Sequence, residues 1–218
     1  MKHIAIIPGD GIGVDVTREA VKVLKRAQQL YGLELVLTHF DWSAEKYLKE
    51  GIALPEGALE LLRNEYDAIL AGAFGDPRVP TGKILFKLRF GLDLYVNFRP
   101  IKLLDETLTP LKNRTTQDIN FVIFRENTEG MYINMGGIFK KDTPDEIAIQ
   151  EDVNTRKGVE RIIIAAFEYA QQHGRKNALF EFPSRGPRVQ ILSFAQKKSN
   201  LLADARRFFA YKETLTIS

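Results

Sequence analysis

The order of an apolar run, a glycine turn and a helix at the start of the chain constrains its fold more than any other feature. Residues 3–7 read as a buried strand, and Pro8-Gly9-Asp10-Gly11-Ile12-Gly13 as the turn that follows. Val16, Ala20, Val23, Leu24, Ala27 and Leu30 then recur at helical spacing, with Gly32 as the stop. Residues 33–39 read as a second strand. Ser43 caps a short helix through Leu48, and Pro55-Glu56 opens another through Leu62. Residues 67–71 form a third strand running into Gly72-Ala73-Phe74-Gly75-Asp76-Pro77. Strand, helix, strand, helix, strand predicts a parallel α/β sheet with right-handed crossovers.

The rhythm changes after about residue 93. Residues 94–103 and 120–124 are β-rich, and Gly136-Gly137-Ile138-Phe139 through Ile147-Ala148-Ile149 reads as a hairpin arm with little core of its own. Such an arm is more stable paired with a second subunit, which predicts a homodimer. Thr155 starts a helix whose Val159, Ile162, Ile163, Ala166, Phe167 and Ala170 form one apolar stripe, ending at Gly174. From Asn177 the pattern weakens. Phe180-Glu181-Phe182-Pro183-Ser184-Arg185-Gly186-Pro187-Arg188 reads as loop, Leu201, Leu202, Ala205, Phe208 and Phe209 as a last short helix, and no closing strand is visible.

At 218 residues and 44% hydrophobic content, the chain can bury the core of one large or two small domains. It contains no cysteine, which removes disulfides, thiolate catalysis and thiolate metal sites. His3, His39 and His173 match no zinc spacing, so any metal would be a hard cation held by carboxylates. The first apolar run stops at Pro8, too short for an export signal, and no run approaches membrane-spanning length. The expectation is a soluble cytoplasmic protein with no membrane partner. Nine Lys/Arg but only three acidic residues fall in residues 174–218, so the pI near 9.0 belongs to the tail. That tail lacks a base-stacking pattern, and no nucleic-acid partner is expected.

Three arginines stand beside or within apolar runs, where an uncompensated guanidinium is costly: Arg89 in Leu88-Arg89-Phe90, Arg99 before Pro100, and Arg125 in Phe124-Arg125-Glu126. Local explanations exist for each. Arg89 can pair with Asp93, Arg99 can act as an interdomain strut, and Arg125 can pair with Glu126 or Glu129. One shared anionic ligand explains all three together, and guanidinium–carboxylate geometry favours arginine there. Tyr132 lies seven residues after Arg125. It reads either as a half-buried core residue or as a phenol placed to donate a proton to an enolate. Lys198 reads as a surface lysine or as the basic partner of that phenol. The turn Gly9-Asp10-Gly11-Ile12-Gly13 has the wrong spacing for the dinucleotide fingerprint, leaving a plain tight turn or a ligand-lining loop.

Pro8-Gly9-Asp10-Gly11-Ile12-Gly13, Gly72-Ala73-Phe74-Gly75-Asp76-Pro77, Leu88-Arg89 with Arg99-Pro100, and Arg125-Glu126-Asn127-Thr128-Glu129-Gly130-Met131-Tyr132 together resemble the β-decarboxylating dehydrogenases, the isocitrate/3-isopropylmalate dehydrogenase family. The likeness runs in order over roughly residues 3–175. It implies an isopropylmalate-dehydrogenase-like two-domain α/β architecture, lacking the C-terminal part of the first domain. Residues 1–98 would be the N-terminal part of the nucleotide-side domain. Residues 99–218 would be a substrate and dimerisation domain, with an arm at about 136–150 and an atypical basic tail at about 177–218.

The implied reaction is NAD-dependent oxidative decarboxylation of a small 2-hydroxy acid, 3-isopropylmalate-like or tartrate/D-malate-like, with Mg²⁺ or Mn²⁺. By resemblance Arg89, Arg99 and Arg125 bind its carboxylates, Tyr132 protonates the enolate and Lys198 assists hydroxyl deprotonation. Gly11, Ile12, Gly75 and Asp76 would lie on the NAD side. Members of the family continue well past this length, and their metal-binding aspartates and adenosine-binding loop have no counterpart here. The resemblance therefore implies a truncated or frameshifted relative. Whether it is an enzyme or a catalytically incomplete fragment stays open at the level of sequence.

Overall fold

Ala5, Ile6 and Ile7 are fully buried, because their strand is covered on both faces and flanked on both edges. In a computed structural model the chain is described over residues 1–80 and 83–175, and beyond them over the strand backbones at 177–181, 190–193 and 214–217. It divides into two compact units, Met1–Asp93 and Leu94–Ser218.

In the first unit, β1 (Lys2–Gly9) lies between β2 (Leu35–His39) and β3 (Ala68–Ala73), parallel to both. Helix α1 (Ile12–Tyr31) links β1 to β2, and α2 (Ala44–Glu50) and α3 (Ala58–Glu65) link β2 to β3. The first crossover runs from β1 to β2 and the second back from β2 past β1 to β3, in opposite directions along the sheet, so right-handedness places their helices on opposite faces. Ala5 and Ile7 pack with Trp42, Leu54, Ala58 and Leu62, and with Ile84 and Leu88 around α4 (Leu85–Gly91). The expected stops hold. Gly32 ends α1 in the left-handed region, and the Ser43 hydroxyl accepts from the Lys46 amide to cap α2.

Helix α1 forms where the spacing predicts it, and the structure adds which side meets the sheet. The inward face of α1 carries Gly13, Thr17 and Val21, whereas Val16, Val23 and Leu30 are 50%, 68% and 58% exposed. The helix carries two apolar stripes, and periodicity alone does not say which one meets the sheet.

In the second unit, β4 (Val96–Lys102) pairs antiparallel with β5 (Asn120–Glu126). The unit starts a few residues before the expected limit at 98 because β4 already belongs to this sheet. Helix α5 (Arg156–Gln172), capped by the Thr155 hydroxyl, lays Val159, Ile162, Ile163, Ala166 and Ala170 on Val122 and Phe124. The arm forms as read, a hairpin of β6 (Gly136–Phe139) and β7 (Ile147–Gln150), exposed along its whole length.

Strands β8 (Asn177–Glu181), β9 (Gln190–Ser193) and β10 (Thr214–Ile217) complete a sheet of order β4-β5-β10-β8-β9. A closing strand therefore exists where the sequence reading found none. Four residues of Thr-Leu-Thr-Ile are too short to stand out, and their partner β5 is distant in sequence. Among the described residues no helix is long and apolar enough to cross a membrane.

Candidate functional site

The register of β4 on β5 decides what faces what in the second unit. Asn97 lies opposite Arg125 and Arg99 opposite Ile123. Strand alternation therefore puts Asn97, Arg99 and Arg125 on one face, and Val122 and Phe124 on the other, against α5. Diagonal neighbours on such a pair are about 7–8 Å apart, a span two long guanidinium side chains can close around one small polyanion. The Asn97 Oδ1 accepts from Arg99 Nε at 2.9 Å. The Arg125 guanidinium lies over the Tyr132 ring, 4.7 Å from its centroid. Tyr132 sits in the 3-10 turn Met131–Ile133 and is 39% exposed, so its phenol is not a sealed core group.

The two carboxylates that might have taken Arg125 locally have partners on the α5 side. Glu126, 3% exposed, accepts from the Thr128 amide at 2.9 Å, the Thr128 hydroxyl at 2.6 Å, the Glu129 amide at 2.8 Å and Arg161 at 3.1 Å. Arg161 also donates to the Thr128 hydroxyl and lies over the Tyr95 ring, 4.5 Å from its centroid. Glu129 accepts from the Thr155 amide at 2.8 Å and from its hydroxyl, at the start of α5. A Cβ on Gly158 would stand 2.2 Å from the Glu129 carboxylate, so a larger residue there must displace it. Sequence reasoning passed over Arg161 and gave Glu126 only as a possible local partner of Arg125. The available signal was a charge on the buried parity of an apolar strand, after Val122 and Phe124.

In the first unit the loops after β1 and β3 leave for helices on opposite faces, the switch point at which open α/β sheets bind ligands. The glycines there divide into two kinds. A Cβ on Gly9 would stand 2.1 Å from the Ala73 oxygen, on Gly13 2.4 Å from the Pro8 oxygen, and on Gly72 2.0 Å from the Pro8 oxygen. Those three let the turn and β3 touch backbone to backbone. Gly11 and Gly75, expected on the NAD side, would place a Cβ in open space. Gly11 is glycine for its φ of 50°, whereas Gly75 has neither a dihedral nor a packing reason.

Ile12 beside them is 67% exposed. Asp10, a lone carboxylate of little apparent weight in the sequence, accepts from the Ala44 amide at 2.7 Å and the Gly75 amide at 3.2 Å. It ties the β1 turn to α2 and to the loop after β3. Asp76 is held by Arg78 through Nε at 2.9 Å, a terminal nitrogen at 2.6 Å and the main-chain amide at 2.9 Å. The Arg78 side-chain bonds, and then its amide, lower the Asp76 carboxyl from 3.8 to about 2.

Arg89 belongs to the first unit, half-buried in the last turn of α4, its guanidinium 5.2 Å from the Phe86 ring centroid. Lys198 lies outside the described residues. Among the described residues no three His, Asp or Glu side chains are placed to hold a metal ion.

A parallel sheet with an open switch point, followed by an antiparallel sheet backed by one helix and carrying a hairpin arm, defines a two-unit α/β protein. The family model described as isocitrate/isopropylmalate dehydrogenase matches residues 3–181, and the chain belongs to that family. It is 45% identical over 173 residues to the 3-isopropylmalate dehydrogenase of Thermobifida fusca (strain YX), covering 78% of this chain and 49% of that protein. It is 42% identical over 196 residues to the tartrate dehydrogenase/decarboxylase of Pseudomonas putida, covering 87% of this chain and 53% of that one. The crystal structure of isocitrate dehydrogenase from Methylococcus capsulatus superposes with a TM-score of 0.68 at 34% identity, over 81% of this chain and 49% of the other. The chain spans about half the length of the curated relatives it matches.

Proposed function

We propose that this chain carries the substrate face for NAD-dependent oxidative decarboxylation of a 2-hydroxy polycarboxylate, of the 3-isopropylmalate or tartrate/D-malate kind. The observation that carries this reading is the shared face of Arg99 and Arg125, with Tyr132 stacked against the second guanidinium. The names of the relatives, 3-isopropylmalate dehydrogenase and tartrate dehydrogenase/decarboxylase, support the same chemistry.

In this reading Arg99 and Arg125 hold the carboxylates bidentately and fix the hydroxyl-bearing carbon, and the resemblance gives Arg89 the same kind of role. Lys198 takes the hydroxyl proton. Bound NAD supplies the acceptor for the hydride leaving that carbon. Once CO₂ departs, Tyr132 delivers its phenolic proton to the enolate carbon, with the Arg125 cation beside the ring. The open Cβ positions of Gly11 and Gly75, with Ile12 and Asp76 beside them, suit the approach of a flat cofactor at the switch point.

The Mg²⁺ or Mn²⁺ that the resemblance implies meets no ligand cluster among the described residues, and no step is assigned to it. The exposed hairpin, with Ile138, Phe139, Ile147 and Ile149 each at least half exposed, fits a homodimer built on a second copy of the arm. The setting is the cytoplasm.

A second reading is a catalytically incomplete fragment that keeps the anion site or needs a partner chain; the chain spans about half the length of the curated relatives it matches. Turnover of 3-isopropylmalate, D-malate, tartrate and isocitrate with NAD and Mn²⁺ decides between them. Substrate-dependent NADH supports the enzyme. No NADH, with citrate or 3-isopropylmalate but not NAD raising the melting temperature, supports the fragment.

A further inference from the structure

Glu126 poses a physical question that the carboxylate-binding arginines leave unanswered. A buried ion pair contributes little net stability over a well-packed apolar pair, so stability alone is a weak reason for one here. The carboxylate has four donors around it: two main-chain amides, a hydroxyl and a guanidinium. Each of its two oxygens accepts two of these bonds, so the side chain is held at both oxygens. Glu126 follows Arg125 directly on β5, and strand alternation points the two side chains to opposite faces. Fixing Glu126 therefore fixes the backbone from which Arg125 projects.

The same bonds pin the loop that leads to Tyr132. Asn127 donates its amide to the Tyr95 oxygen at 2.9 Å, and the Gly130 amide bonds the Val153 oxygen at 2.8 Å. Gly130, with a φ of 82° that favours glycine, then turns the chain into the 3-10 segment carrying Tyr132. Gln150 holds that segment by donating to the Met131 oxygen at 3.1 Å.

We propose that Glu126, Thr128 and Arg161 form a buried positioning network that sets the Arg125–Tyr132 pair from the far side of the sheet. None of the three needs to touch a substrate, so they are positioning residues. The proposal deepens the anion-site reading above and rests on it for its functional consequence.

The test uses the full chain labelled with ¹³Cζ-tyrosine, with Tyr132→Phe to assign the resonance, and isothermal titration of citrate as the probe. In Glu126→Gln the amide turns a donor toward other donors. Thr128→Val removes only the hydroxyl and is the milder change if the first does not fold. The expected result is a Tyr132 resonance displaced toward that of free tyrosine in the folded variants. Citrate binding should weaken roughly tenfold, about 1.4 kcal/mol. A purely structural role would lower the melting temperature of both variants while leaving the resonance and the citrate affinity of the folded protein unchanged, and that result overturns the proposal. If the wild-type chain does not bind citrate, the anion-site reading fails, and the Tyr132 resonance still decides whether the network positions the pair.

Discussion

The two units hold their candidate binding groups by different means. In the first, the loops at the switch point are held by backbone contact. Gly9, Gly13 and Gly72 let β1, its turn and β3 approach where any side chain would collide, and Asp10 adds two bonds to main-chain amides. In the second, the arginine face is held from behind by side chains, the Glu126–Arg161–Thr128 set and the Glu129 cap on α5. The difference teaches where each region is brittle. The first fails by steric intrusion, the second by loss of a buried charge.

Arg161→Leu should show the largest effect, because it removes a guanidinium from the buried Glu126 carboxylate. The cost expected for breaking such a pair is about 3–5 kcal/mol. Hydrogen exchange should speed up across β5 and α5 while β1 and β3 stay protected. Gly72→Ala should come next. Its Cβ would stand 2.0 Å from the Pro8 oxygen and 2.6 Å from the Thr17 hydroxyl, and overpacking of this kind costs about 1–3 kcal/mol. Here exchange should rise in β1, β3 and α1 and leave β5 unchanged. Equal loosening of both units by either variant would break the contrast.

Asp76→Asn is the smallest. The carboxyl is lowered from 3.8 to about 2 by Arg78, so its stabilising contribution is present above its ordinary value and is lost as pH falls through about 2. The pair is exposed on the Arg78 side, so the melting temperature of the variant should fall only slightly at pH 7. A melting series toward acid should show that small difference vanishing. A difference that persists at low pH would mean Asp76 acts through something other than its charge.

How much of this was legible in the sequence follows from how far apart the interacting groups lie. Gly32, Ser43 and Thr155 act within one helical turn, and each ends or starts its helix as read. The arginines and Tyr132 stood out because charge in an apolar run is conspicuous in one dimension. The glycine turn could not be resolved from its spacing. Only the contact with Pro8 and Ala73 separates Gly9, Gly13 and Gly72, needed for packing, from Gly11 and Gly75.

The partner of Glu126 is 35 residues away on α5, and β10 pairs with a strand far earlier in the chain. Neither relation leaves a local trace. Which side of α1 meets the sheet is likewise not legible locally, since Val16, Val23 and Leu30 keep helical spacing while facing away from β1 and β3.

The most direct test of the central claim is calorimetric titration of 3-isopropylmalate into the wild-type chain and into Arg99→Lys and Arg125→Lys. If both guanidinium groups grip one polyanion, each variant should bind at least about tenfold more weakly, or about 1.4 kcal/mol, because lysine cannot reproduce the bidentate contact. Binding of equal strength in all three proteins would contradict it.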